Sequence, residues 1–554
     1  MRQYIGARYV PKFFEDSNGS SEWASGVAYE PLTIVTYNSN SYTSKKTVPA
    51  TIGAPNLNPE YWVSTGIYNA QIDEYRQEVQ DALLEVEGVK RDYIRKFSNV
   101  ATMIASEDLT SGDVVVTLGY YDANDGGEGT YLITSNGSAS YHVLETAGGL
   151  YAHLITDSTV NVDALGAKGD GITDDADIIN YALENYDEIQ LSAGKNYYIT
   201  STIHVPYGKS FIGNSATITA AAYSIFTNLN VAGLPTKVAI FAEGREPIVN
   251  SEQKGYTKKI AGFKLYEDGT QEDGIGSDGF VGIYAGYKTA LTGTNSKVNY
   301  SVYGYSFEDI LVYGFGIGFY VAEVWQGKFS KIVIRNFKKE GLSIRGQSVN
   351  NYYTEMEIDG RAHSETELYG IRLNVSNTYN NRPEGNMFVN VGVFSCNYNI
   401  WQTNGLSTQF SNCMSDLAIT SALGATVGDM MVENSWLGSR NGASALTQPF
   451  TSPTVWLSNI STADAGNKVT LANCNIVNAN QNSGETPFAV AQGYGRYSDI
   501  VVNCNCAGSV RQTNQNAALF IMYNSFKYDS DTIYTMGNGK RTGNYKGIDG
   551  SEMT

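Results

Sequence analysis

Histidine is scarce in this chain: four in 554 residues, at His142, His153, His204 and His363. No two lie together, so a histidine-built metal site or a Ser/His/Asp triad has little to stand on. Cysteine is equally thin. All five (Cys396, Cys413, Cys474, Cys504 and Cys506) lie in the C-terminal part, and none has CxxC spacing. An odd number without metal spacing reads as reduced, buried thiols of a protein assembled in a cytoplasm. Charged residues make up only 17%, and the net charge is −18. That sign repels a phosphate backbone and argues against general nucleic-acid binding. No run is long and apolar enough to span a membrane, and the opening MRQYIGARYVPKFFEDSN lacks the apolar stretch of a secretory leader. No calcium cage or phosphate-cradling loop stands out. The glycine-rich acidic segments DGGEG (125–129) and DGIGSDG (273–279) read as turns. No metal and no cofactor is expected.

Tyrosine (40) and glycine (57) are abundant, which suits β-structure with many turns. The length exceeds one ordinary compact core, so the chain is several domains or one elongated repeat. Residues 1–65 carry Trp23, Gly26, Tyr29, Val35, Tyr37, Tyr42, Pro49, Pro55 and Trp62 between short polar spacers, the pattern of a small β-domain. Most of these aromatics are expected in its core, with one left for a partner. Residues 66–98 read as helix: Ile72, Tyr75, Val79, Ala82, Val86, Val89 and Tyr93 form a heptad seam. Glu87 and Arg91 can pair one turn apart, while Gly88 interrupts the seam. The seam is expected either in a bundle of identical chains or against its own β-domain. Residues 99–160 read as a small β linker, with two strand-like runs flanking AsnAspGlyGly at 124–127.

Residues 162–175, VDALGAKGDGITDD, are two glycine turns followed by an acidic helix start. Thr173, Asp174 and Asp175 are placed to accept hydrogen bonds from the first free N–H groups of that helix, whose apolar face is Ile178, Ile179, Ala182 and Leu183. Beyond it the chain repeats. Phe307, Ile310, Val312 and Phe315 recur as Phe329, Ile332, Ile334 and Phe337, with the same interval at all four positions. Tyr353, Met356 and Ile358 start a third copy, and Phe388 and Phe410 are separated by that interval again. A helix-free repeat of this length fits one coil of a β-helix. The coils are assigned to residues 161–485, and 486–554 to C-terminal coils, a cap or a tip. The asparagines of NCNIVNAN (473–480) and VNCNC (502–506) suit turn and ladder positions.

The entry segment closely resembles that of the pectate-lyase-like superfamily as found in phage tail spikes. Residues 1–65 resemble small chitin-binding-type modules, and more closely the N-terminal domains of tail, fibre and preneck appendage proteins from short-tailed phages of Gram-positive bacteria. GYY…DGG…GTY also resembles a segment that often precedes the entry motif in spikes. The resemblance implies an all-β chain: a right-handed parallel β-helix with a small N-terminal β anchor domain and a coiled-coil-like helix. It implies a homotrimer in the virion, attached through residues 1–65 to tail, collar or neck proteins, assembled in the host cytoplasm and released by lysis. The partner it implies is a host cell-wall or capsular polysaccharide. Cleavage of that glycan by hydrolysis or lysis, a bacterial polysaccharide-processing enzyme, and a purely structural virion component are the other readings.

Function is expected on outward residues. Glu355, Glu357 and Asp359 in TEMEIDG form the best acidic constellation. With Met356 and Ile358 inward, Glu355 and Glu357 face outward with backbone positions ~6.5–7 Å apart on an extended strand. That overlaps the carboxyl separation of an inverting glycoside hydrolase. The opposing reading is a solvated charge ladder, because Asp309, Lys331 and Glu355 share one repeat column. For glycan binding the candidates are Trp325, Lys328, Lys331, Arg335, Tyr284 and Tyr287. Aromatic faces take sugars, and the edge formed by Lys328, Lys331, Arg335, Lys338, Lys339 and Arg345 suits an anionic polymer such as a teichoic acid. Inter-subunit packing and ordinary solvation are the competing explanations.

Overall fold

A computed structural model describes residues 11–66, 94–227, 237–244, 259–270, 274–286, 302–361, 367–374, 382–439, 453–457, 468–478, 488–492, 498–512, 518–527, 531, 533–534, 540–546 and 551–553. The chain divides into two compact units: Met1–Arg95 with Gly112–Val114, and Lys96–Ser111 with Val115–Thr554.

In the first unit, Thr33–Tyr37 and Asn40–Ser44 form an antiparallel hairpin, extended by Trp62–Gly66 on one side and Lys12–Phe13 on the other. Asn38 and Ser39 both have positive φ (47° and 59°), the geometry of a two-residue turn matched to strand twist. Tyr29, Val35, Val48 and Trp62 are its buried core, with Trp23 and Tyr42 packed against them half-buried. The expected neck lies mostly outside the described residues (67–93). Its two ends are strand, not helix: Gly66 closes Trp62–Gly66, and Ile94–Phe97 alternates exposed and half-buried side chains with the two-residue period of a strand.

The second unit opens with a short helix, Val100–Ile104, whose Asn99 and Thr102 form a reciprocal capping box. Gly129–Thr134, Tyr151–Leu154 and Val143–Glu145 follow as antiparallel strands. Asp125 accepts backbone N–H bonds from Tyr120, Tyr121, Asp122 and Gly127, so its glycine-rich segment is a turn. In the entry segment Gly166, Gly169 and Gly171 have φ of 101°, 60° and 78°, which side chains strongly disfavour. Buried Asp163 accepts from the Tyr197 hydroxyl (2.7 Å) and pairs with Lys195 (2.9 Å). Of the three expected caps only Asp174 accepts from the helix start, Ala176 N–H at 3.1 Å. Thr173 turns to Asp170, and Asp175 turns back to the N–H groups of Lys168 and Gly169, pinning the turn to the helix. The helix Ala176–Asn185 buries Ala176, Ile179, Ala182 and Leu183, with Ile178 half-buried.

From here the chain is a parallel β-helix. A typical coil has three strands, such as Tyr352–Thr354, Glu357–Asp359 and Tyr369–Leu373. The first two series form one parallel sheet of 24 described strands running to Tyr545–Lys546; the third forms a 12-stranded sheet from Ile203–Val205 to Ile533–Tyr534. The expected columns are in register: Phe307 on Phe329, Tyr353, Phe388 and Phe410. Their rings stack 4.4–5.1 Å apart, an interior rod of aromatic faces. All five cysteines are buried and unpaired. Three lie in a neighbouring polar ladder, in which the backbone N–H groups of Cys413, Cys474 and Cys504 donate to Ser435, Cys504 and Asn524 respectively.

The first two strand series meet at a sharp corner, which in Ser306–Tyr313 and Lys328–Arg335 falls inside one continuous strand, held by one residue with positive φ: Asp309, Lys331, Glu355, Asn390, Asn412, Asn434, Asn473, Asn503 and Tyr523, all between 51° and 56°. Asparagine tolerates this left-handed conformation better than most side chains. The tandem asparagines of the C-terminal coils split their tasks accordingly. Asn473 and Asn503 turn the corner; Asn475 and Asn505 follow on the next strand as an outward ladder, bonded at 2.9 Å.

Candidate functional site

The corner column changes the reading of the acidic constellation. Met356 and Ile358 are buried as expected (3% and 0% exposed). Glu355, however, occupies the corner with φ 55°, outside both flanking strands. Glu355 and Glu357 are therefore not alternate residues on one strand face, and the spacing of an extended strand does not apply to them. Glu355 is exposed, Glu357 accepts from Arg335 Nε at 3.0 Å, and Asp359 accepts from the Arg361 backbone N–H at 2.9 Å.

The expected positive edge is largely paired. Lys331 approaches Glu308 at 3.7 Å, Lys339 meets Asp278 at 2.9 Å, and Arg335 and Arg345 bond to Glu357 and Glu340. Lys328 is exposed and has no ion pair among the described residues. Lys331 lines a shallow open groove of about 500 Å³ with Lys259, Lys264 and Asp309. Trp325 is half-buried on a two-residue strand paired with Val302–Tyr303. Tyr284 is not an exposed platform: it is 5% exposed, its ring held between Phe241 (5.5 Å) and Tyr320 (5.3 Å) in an outward-facing ladder. Tyr287 lies outside the described residues.

Two constellations emerge only when the coils are stacked. The first is an open groove of about 390 Å³ lined by Trp436, Asn475, Asn505, Ser525 and Lys527, among others. Trp436 stands directly over Asn475, which stands over Asn505 and then Ser525. Trp436 is 37% exposed, and its Nε1 lies 2.8 Å from where Gly438 would carry a Cβ, so any larger residue there would displace it. An aromatic face beside a row of amides and a hydroxyl is the chemistry of a sugar platform.

The second lies on the outward face of the 12-stranded sheet. One column runs His204, Phe241, Tyr284, Tyr320, Ser343, Arg372 and Trp401. Beside it are Glu340, Tyr369 and Tyr398. The Glu340 carboxylate is shared by Arg345 and by Arg372 (3.0 Å). The Arg345 guanidinium lies 5.9 Å from the Tyr320 ring, and that of Arg372 lies 4.1 Å over Tyr369. Tyr320 is also within electrostatic reach of Glu323, whose carboxyl burial pushes up to about 7. The segments EGLSI, YGIRL and YNIWQ carry this alignment in the sequence. The interval from Tyr369 to Tyr398 is longer than that from Phe307 to Phe329, however, and such unequal loops hide the repeat.

No family model matches the chain. Solved structures do. The enzymatically active domain of bacteriophage CBA120 tailspike protein 2 has a TM-score of 0.51 at 13% identity, with 85% of this chain and 64% of that one covered. The Acinetobacter phage vb_AbaP_AS12 gp42 tailspike has a TM-score of 0.53 at 14% identity, with 83% and 75% covered. The chain thus spans just under two thirds of the first structure and three quarters of the second. At this identity the likeness is one of architecture: the chain is a parallel β-helix of the kind built by phage tail spikes.

Proposed function

We propose that this chain is the subunit of a phage tail spike, fibre or preneck appendage that adsorbs to a host surface polysaccharide. Residues 1–65 attach it to tail, collar or neck proteins, three copies assemble through residues 66–98 and the shaft, and the coils meet the glycan. The Gram-positive host rests on the resemblance of residues 1–65. The observation that carries the reading is the Trp436 groove, an exposed indole continued by an outward Asn475–Asn505–Ser525 row. β-Helix coils are suited to it, because a polymer can lie across identical outward positions ~4.8 Å apart.

A second reading, cleavage of the same glycan, has a specific support. Glu323 and Glu340 both act on the Tyr320 phenol yet have different surroundings, one carboxyl raised by burial and the other held between two arginines. A carboxyl kept protonated by burial is what a general acid requires. Glu355, Glu357 and Asp359 remain the competing set.

The experiment is a co-sedimentation of purified protein with host envelope polysaccharide, followed by sizing of the polysaccharide and detection of new reducing or unsaturated ends. Trp436→Ala is expected to weaken binding tenfold or more; unchanged binding removes the groove from the proposal. Shortening lost in Glu323→Gln but retained in Glu355→Gln and Glu357→Gln assigns cleavage to the Glu323 and Glu340 cluster.

A further inference from the structure

The cluster around Glu340 contains more hydrogen-bonding capacity than the protein uses. Among the described residues, three buried polar atoms there have no partner: Ser343 Oγ, Arg345 Nη1 and Arg372 Nε. Ser343 is fully buried and Arg345 is 8% exposed. Native interiors satisfy nearly all such groups, and each orphan calls for an explanation. Here the three are adjacent. Ser343 sits between Tyr320 and Arg372 in one column, and Arg345 lies further along the same strand.

The charge count points the same way. Glu340 takes one nitrogen from each guanidinium, so two cations share one bonded carboxylate, with Glu323 and Glu367 reaching the flanking Tyr320 and Tyr369 only electrostatically. Arginine carries five donors in a planar fork, so each has N–H groups left for a second acceptor. Ser343 is also the small residue in a column of large ones. It lies between Tyr320 and Arg372, whose strands stand two coils, ~10 Å, apart.

We propose that Ser343, Arg345 and Arg372 form a subsite for an oxyanion carried on a sugar, so that the recognised glycan is acidic. A carboxylate or a phosphate offers the same acceptors, and both suit charge-assisted bonds to arginine. Tyr320 and Tyr369, packed against the two guanidinium groups, flank the anion. This rests on the glycan-binding reading but not on the Trp436 groove.

The test is calorimetric titration of the full chain with glucuronate, glucose 1-phosphate and glucose. Binding of either anion at least tenfold tighter than glucose supports the subsite, and the tighter anion identifies its source. Equal binding of all three, or none, overturns it. Arg372→Gln is expected to lower anion affinity tenfold or more with glucose unaffected. Ser343→Ala is the milder variant, expected to reduce it severalfold without disturbing the Glu340 pairs. If both variants, folded by thermal melt, bind the anions as the parent does, the assignment fails. The adsorption reading is judged separately, by co-sedimentation with a neutral host polysaccharide: retained there and absent for both anions, it survives while the subsite does not.

Discussion

Single residues in this chain carry unusual local costs, and two of them make measurable statements. Glu323 has an ordinary carboxyl value near 4.5, but burial raises it to about 7 in the folded chain. Between those values the folded chain holds a proton that the unfolded chain has lost, so stability falls as pH rises, by at most ~1.4 kcal/mol per unit for one group. Asp499, raised to about 6 by burial, acts in the same direction. The urea midpoint is therefore expected to drop from pH 5 to pH 7.5, and Glu323→Gln to flatten the part between 6 and 7. An unchanged slope in that variant would place the loss elsewhere. Glu355 has the other cost. At φ 55° it occupies a corner that five coils fill with asparagine, at positions 390, 412, 434, 473 and 503. Left-handed backbone costs most side chains ~1–2 kcal/mol. Glu355→Asn should raise stability by about 0.5–1 kcal/mol in chemical denaturation, because asparagine recovers part of that cost. A loss would show that the carboxylate does something the corner does not require.

At the scale of elements, the coils are held by columns rather than by individual strands. The rod from Phe307 to Phe410 is one such column. A second is the inner corner Gly318, Gly341 and Gly370, where the sheet turns too close to its neighbours for any side chain. A Cβ on Gly341 would come within 2.5 Å of Ile358 Cγ2 and 2.8 Å of the Gly370 carbonyl oxygen. Gly341→Ala is expected to cost about 1–3 kcal/mol by overpacking. Because Gly341 lies next to Glu340, the same change should weaken anionic-sugar binding if the Arg345–Glu340–Arg372 arrangement is what binds it. The Arg335–Glu357 pair is different in kind: both side chains are more than a third exposed, and such pairs contribute little.

For the whole molecule, coil follows coil from the entry helix to Tyr545–Lys546, with register shifts confined to local bulges. An elongated repeat has a surface that scales with its length, so a purely monomeric shaft would leave much of it wet. The proposed homotrimer predicts a solution mass near three times the 60.3 kDa chain by light scattering. A monomer mass would contradict the proposal.

The β-helix was readable from the amino acids because inward residues must repeat at whole-coil spacing to stack. Phe307, Phe329, Tyr353, Phe388 and Phe410 are such a series, and the glycine turns before Ala176 mark where it begins. Outward residues obey no such demand. Glu355 looked like half of a strand-face pair because alternation alone does not reveal a corner, and Tyr284 looked exposed because its ladder partners Phe241 and Tyr320 are remote from it in the chain. Trp436 meets Asn475 and Asn505, and Arg345 meets Arg372 across Glu340, only after loops of unequal length have closed. Local periodicity sets what is buried; the lengths of the intervening loops set which outward groups become neighbours, and that is decided in three dimensions.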